Sequence, residues 1–129
     1  MNEALHGDST PSYIGTAAIT TLYKAVKLDT ARNTVVLATA ATDAAIGVNT
    51  ETTSNAGEWV AVKRNGYALA TVGTGDWTKG AKLTPSTGGV LIATTTAGDL
   101  VCAIAMEAAN EGEFGEVMLL PYPMKYSSL

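Results

Sequence analysis

The chain has 129 residues, a mass of 13.2 kDa, a formal net charge of −4 and a pI near 4.8. That length fits one domain, able to bury about two thirds of its unfolded surface without disulfides or a metal. The acidic balance argues against DNA or RNA as the principal partner, because phosphate binding needs a basic patch. No apolar run approaches the length of a membrane span.

Charged residues are 16% of the chain, against roughly 25% in ordinary soluble domains. Alanine and threonine take their place, which suits surfaces buried against other subunits. The first twelve residues, MNEALHGDSTPS, lack the basic start and apolar core of a signal peptide. The expectation is synthesis in a cytoplasm and a soluble product until assembly. Gly7 to Pro11 is a cluster of turn formers, so Met1 to Ser12 reads as an extended arm, frayed or ordered against a neighbour.

From Tyr13 the residues become β-like. Tyr13, Ile14, Ile19, Leu22, Tyr23 and Val26 stand among threonines, and no helical stripe persists. Asp29 to Asn33 is a turn, and Thr34 to Thr39 (TVVLAT) reads as a strand apolar on both faces. Ala40 to Ala45 is too short for a stable helix unaided, so a helical turn or a loop is expected there. Asn49 to Gly57 is a polar surface loop, followed by the alternating strand Trp59 to Lys63. Arg64-Asn65-Gly66-Tyr67 fits two geometries. One is a type I′ hairpin placing Val62 opposite Leu69; the other is a glycine bulge inside one bent strand from Trp59 to Val72.

Much of this is then repeated. Lys24 to Val48 reappears after 55 positions (Lys24 to Lys79) as KGAKLTPSTGGVLIATTTAGDLVCAIAM. Lys27, Leu28 and Val35 fall on Lys82, Leu83 and Val90, and Gly57-Glu58 falls on Gly112-Glu113. Two copies do not make a solenoid. They predict one domain of two similar β units, with Val35-Val36-Leu37 and Val90-Leu91-Ile92 in equivalent buried strands. Thr95 to Leu100, like its first copy, is expected to be a short helical turn or a loop. Val117 to Leu120 is the expected closing strand, ended by Pro121 and Pro123, which lack an N–H.

Candidate chemistry is sparse. The lone Cys102 lies in an apolar run far from the only histidine, His6, and is read as a small buried hydrophobe. Gly75-x4-Gly80-Ala81-Lys82 lacks the lysine-then-hydroxyl ending of a phosphate loop. Glu107, Glu111, Glu113 and Glu116 match no calcium spacing and read as a solvated acidic loop. No catalytic, cofactor or metal constellation is expected. Trp59 and Trp77 are expected to be core or interface anchors.

The order of segments resembles the small capsid cement or decoration proteins of tailed bacteriophages. TAAITTLYKAVKLD, VVLATAATDAAIGV, GEWVAVKRNGYALATV, GDWTKGAKLT and TAGDLVCAIAMEAANEGEFGEVMLL carry it, from about Thr16 to Leu120. The resemblance implies an all-β fold: a small compact barrel or sandwich, tulip-like, with two similar β units, short helical turns and an extended N-terminal arm. It implies a non-enzymatic virion protein on the outer surface of the phage head. Such a protein bridges major capsid protein subunits as a homotrimer, without cofactor, nucleic acid or membrane. The expected layout is an arm over residues 1–22, a β body over 23–120 and a tail over 121–129. Capsid contacts are expected from Leu5, Pro11, Tyr13, Ile14 and Ile19 of the arm, and subunit contacts from Trp59, Tyr67, Trp77 and Tyr122. The alternatives are a β-rich tail, fibre or baseplate component, or a carbohydrate-binding module with Trp59, Tyr67 and Trp77 exposed together.

Overall fold

A computed structural model describes residues 11–127, and these are almost entirely β. Strands β1 (Ser12–Gly15), β2 (Ala25–Leu28), β3 (Thr34–Leu37), β4 (Ala45–Asn49) and β5 (Trp59–Lys63) form a closed barrel in the order β1-β3-β2-β4-β5. Strands β6 (Gly66–Thr71), β7 (Lys82–Pro85), β8 (Leu91–Ala93), β9 (Leu100–Ala105) and β10 (Phe114–Lys125) form a second sheet, β6-β10-β9-β7-β8. Written from β1 around the ring, the first order is β1-β5-β4-β2-β3. The second is the same order with each strand replaced by the one five places later.

The correspondence holds residue by residue. The parallel pair Gly15–Val35 closes the first barrel, and the single parallel bridge Val72–Leu91 ties together the ends of the second sheet. Around these pairs the backbone bonds repeat. The Thr16 amide donates to the Val35 carbonyl at 2.9 Å, as Gly73 does to Leu91 at 2.8 Å. The Gly57 amide donates to Gly15 at 2.9 Å, as Gly112 does to Val72 at 3.0 Å. Val48–Lys63 and Asn49–Val62 in one sheet correspond to Ile104–Met118 and Ala105–Val117 in the other.

The two expected β units are therefore present, but the sequence alignment misplaces their register. Val26 pairs with Leu37 and Leu28 with Val35; Leu83 pairs with Ala93 and Pro85 with Leu91. Val26 thus matches Leu83, and Val35 matches Leu91 rather than Val90. Leu28, aligned with Leu83 by sequence, matches Pro85 two residues on, and a turn one residue shorter than its first copy then brings the mismatch at Val35 down to one. A one-residue slip moves a side chain to the opposite face, and it is Leu91, not Val90, that is buried like Val35.

Each unit has its own apolar interior. Ile19, Val26, Val35, Val60 and Val62 fill the first barrel. Trp77, Leu83, Leu91 and Val117 take the places of Ile19, Val26, Val35 and Val62 in the second. Trp77 is much larger than Ile19, and Gly115 stands where the first unit has Val60. A Cβ at Gly115 would lie 2.7 Å from the Trp77 ring, so the glycine makes the room the indole needs. The indole N–H is satisfied by the Leu91 carbonyl at 2.9 Å, which removes the penalty of burying it.

Two expectations are corrected and one open alternative is settled. The body does not start at residue 23, since β1 pairs with both β3 and β5 and Ile19 is only 2% exposed inside the barrel. Arg64-Asn65-Gly66 is not a hairpin, because β5 and β6 lie in different sheets. The run bends at Gly66 (φ 81°) and changes sheet there. The prolines do not end the last strand: β10 runs on to Lys125, its pairing with β9 slipping between Leu119 and Met124. Pro121 and Pro123 sit in that irregularity, where no ladder donor is required. Among the described residues, Thr87–Gly89 is a short 3-10 turn, while Ala40–Ala45 and Thr95–Leu100 are turns leading into strands.

Candidate interaction surface

The second sheet carries an apolar outer face. Along β10, Gly115, Val117 and Leu119 point inward and are buried, while Phe114, Glu116 and Met118 point outward. Met118 lies opposite Tyr67 on β6 and Ile104 on β9, and Ile104 lies opposite Lys82 on β7. Directly opposed residues share a face, so Tyr67, Met118, Ile104 and Lys82 form one row across four strands. In the first unit the matching positions Val48 and Ala25 are buried, as part of a core cluster that includes Ala70, Cys102 and Leu119 of the second unit. Beside the open row lies a groove of about 310 Å³, lined mainly by Val101, Ile104, Leu120, Met124 and Tyr126. The tail is held there by backbone: the Tyr126 amide donates to the Asp99 carbonyl at 2.8 Å, and the Gly98 amide to Tyr126 at 3.1 Å.

Of the expected subunit contacts, Trp59 (57% exposed), Tyr67 (59%) and Tyr122 (73%) lie at the surface. Trp77, at 2%, does not: it is the core residue of the second unit and offers no face to a partner. Of the expected arm contacts, Pro11 is exposed, and Tyr13 and Ile14 are half-buried in or beside the barrel wall. The Tyr13 hydroxyl accepts a hydrogen bond from Arg64 at 3.0 Å. Ile19 is barrel core, a correction to its reading as a contact residue. Leu5 lies outside the described residues. Sequence reasoning missed Met118, Met124 and Phe114, all exposed; the alternation along Phe114–Leu119 was the available signal.

The polar groups serve the backbone. The Asp43 carboxylate accepts from the Thr39 and Ala40 amides at 2.8 and 3.1 Å and from Lys27 at 3.1 Å. The Thr39 bond, followed by Lys27 and Ala40, outweighs desolvation and holds its carboxyl below the ordinary value. Glu58 is lowered likewise by the Ser54 and then the Asn55 amide. In the acidic loop, Glu113 accepts from Asn110 and Glu107 from Glu116, both at 2.9 Å. All four loop glutamates are exposed as expected, and two of them, Glu107 and Glu113, also hold backbone amides. Burial pushes the Cys102 thiol up to about 12, which suppresses thiolate chemistry at neutral pH. The Gly80 and Ala81 amides already donate to Ala105 and Thr78, so the glycine-lysine segment has no free amide cradle. Among the described residues, no group of three or more His, Cys, Asp or Glu could hold a metal ion. Among the same residues, no helix is long and apolar enough to cross a membrane.

Comparison with known proteins places this fold. The chain is similar to the N base of the head fibre protein gp8.5 of bacteriophage phi29. The TM-score is 0.68 at 15% identity, over 91% of this chain and 98% of that one. At that identity the likeness is one of fold. No family model matches the sequence, and no curated protein matches it.

Proposed function

We propose that this chain is a structural protein of a tailed-phage head. It binds the outer surface of the shell as a homotrimer and cements it by bridging major capsid protein subunits. The observation that carries this reading is the shared fold, over nearly the whole of both chains, with a base that belongs to a phage head fibre. The order of sequence segments points the same way independently. The exposed apolar positions suit such work, because weak contacts multiplied over linked copies give firm attachment without chemistry.

The test is to add the purified protein to expanded heads that lack it and to image them by cryo-electron microscopy. Ordered density on the outer shell, and heads that survive heating better, are the expected results. Heads that stay bare at saturating protein would sink the proposal.

A second reading is favoured by the same neighbour: a base from which a fibre projects, rather than a cap that lies flat. Density rising from the site in native virions would select it. The carbohydrate-module reading loses its platform, since it needs Trp77 exposed beside Trp59 and Tyr67, and Trp77 is buried.

A further inference from the structure

Within the chain, the rim of the second unit docks on the outer face of the first. Phe114 meets Tyr23 edge to face, with ring centroids 4.9 Å apart. Gly89 approaches so closely that a Cβ would lie 2.9 Å from the Lys24 side chain and 3.2 Å from that of Leu37. The Thr71 amide donates to the Tyr23 carbonyl at 2.9 Å. The contact uses Phe114 and Gly89 on one side and Tyr23, Lys24 and Leu37 on the other.

The repeat supplies a second copy of both sides, and both are open. The first unit's rim has Trp59 in the place of Phe114 and Asn33 in the place of Gly89. Asn33 shares the left-handed backbone of Gly89, with φ 60° against 81°. The second unit's outer face has Gly80, Ala81 and Ala93 in the places of Tyr23, Lys24 and Leu37. Gly80 and Tyr23 are matched by their bonds, each amide donating to the corresponding carbonyl, Ala105 or Asn49, at 2.8 and 3.1 Å. Gly80, Ala81 and Ala93 line a surface groove of about 290 Å³, while Trp59 stands 57% exposed.

The sizes are exchanged in opposite senses. The open rim is larger than its counterpart, tryptophan for phenylalanine and asparagine for glycine. The open face is smaller at all three positions. A larger knob and a wider hole are what one contact needs if its two sides lie on different molecules.

We propose that the first unit of one copy docks on the second unit of another, with Trp59 over Gly80 and Asn33 against Ala81 and Ala93. The interface is heterologous, repeating the contact made inside the chain, and closes into a ring of copies. The hydrogen bond from Thr71 is not repeated, because the Ile14 amide in its place already donates to Asn33 at 2.8 Å. The contact rests on the internal repeat alone; only the copy number of three rests on the proposed function.

Light scattering on the purified full chain tests it. The expected mass is three times 13.2 kDa for the wild type, and one times that for both Trp59→Glu and Ala93→Tyr. Both sites are exposed, and unchanged circular dichroism confirms folding. A wild type that is monomeric, or variants that keep its mass, would overturn the proposal. If Trp59→Glu dissociates and Ala93→Tyr does not, the assigned face is overturned. An assembly of another size that both variants dissolve upholds the contact and removes only the copy number.

Discussion

The two β units share strand order and backbone hydrogen bonds, yet they solve the same interior with different side chains. Around the first barrel's Ile19 stand Val60 and Thr53, whose hydroxyl accepts from the Ile19 amide at 2.8 Å. The second unit centres on Trp77, with Gly115 and Ala109 cut back to admit it. The first unit also carries a fully buried Asn49. Its carbonyl oxygen accepts from the Lys24 amide at 2.7 Å, and its NH₂ donates to the Thr21 and Glu51 carbonyls at 2.8 and 2.9 Å. The second unit has Ala105 there, because its Trp77–Gly80 segment is one residue shorter than Ile19–Tyr23 and leaves no such groups to satisfy. A backbone pattern can thus be kept while the volumes and polar groups that sustain it change together.

Converting one unit toward the other measures that coupling. The largest effect is expected from Trp77→Ile, which removes most of an indole from the core, a loss of about 3 kcal/mol or more. Adding Gly115→Val should recover a good part of it, because the valine refills the space. Gly115→Val alone should instead destabilise by about 1–3 kcal/mol through overpacking. Urea unfolding of the four proteins gives the interaction energy, and strict additivity would mean that the two positions are not coupled.

Asn49→Ala gives the first unit the residue of the second. It leaves three backbone groups unpartnered beside Tyr23, which holds a left-handed φ of 60°. A loss on the order of 2–3 kcal/mol is expected, with hydrogen exchange rising first around residues 21–24. An unchanged melting curve would show that the longer segment needs no anchor.

The smallest effect concerns acid. Asp43 has a folded pKa below its ordinary value of 3.8. Its stabilisation is therefore complete above that value and lost as the pH falls through the folded one. Asp43→Asn should flatten the drop in melting temperature below about pH 4. If the acid limb is as steep without the carboxylate, other groups govern it.

The strands themselves were legible, since Thr34–Leu37 and Trp59–Lys63 declare themselves by β-branched and alternating residues. The repeat was legible too, but its register was not. Lysines at 27 and 82 attract an alignment that the strand pairing contradicts, since Lys27 holds the place of Thr84, and pairing register is a tertiary constraint that side-chain similarity does not report. Tyr13 to Ile19 looked like an arm because the pairings of β1, with β3 and β5, lie far along the chain. Pro121 and Pro123 looked like a terminus because nothing local announces a register slip. The candidate surface was half visible: Trp59, Tyr67 and Tyr122 are exposed as expected, whereas Trp77, legible only as a core or interface anchor, is core because Gly115 leaves room for its ring.

The change of sheet at Arg64–Gly66 divides the chain in time as well as in space. All five strands of the first barrel, β1 to β5, have left the ribosome by Lys63, whereas the second sheet waits for β10 at the far end. N-terminal units fold first during synthesis. The first barrel can therefore close while Ala25, Ala45 and Val48 still lack their cover, leaving a nascent apolar face for the second unit to condense upon. Met124 and Lys125, at the end of β10, are paired with the start of β9. A substitution in β10 therefore acts on the half of the molecule that condenses second.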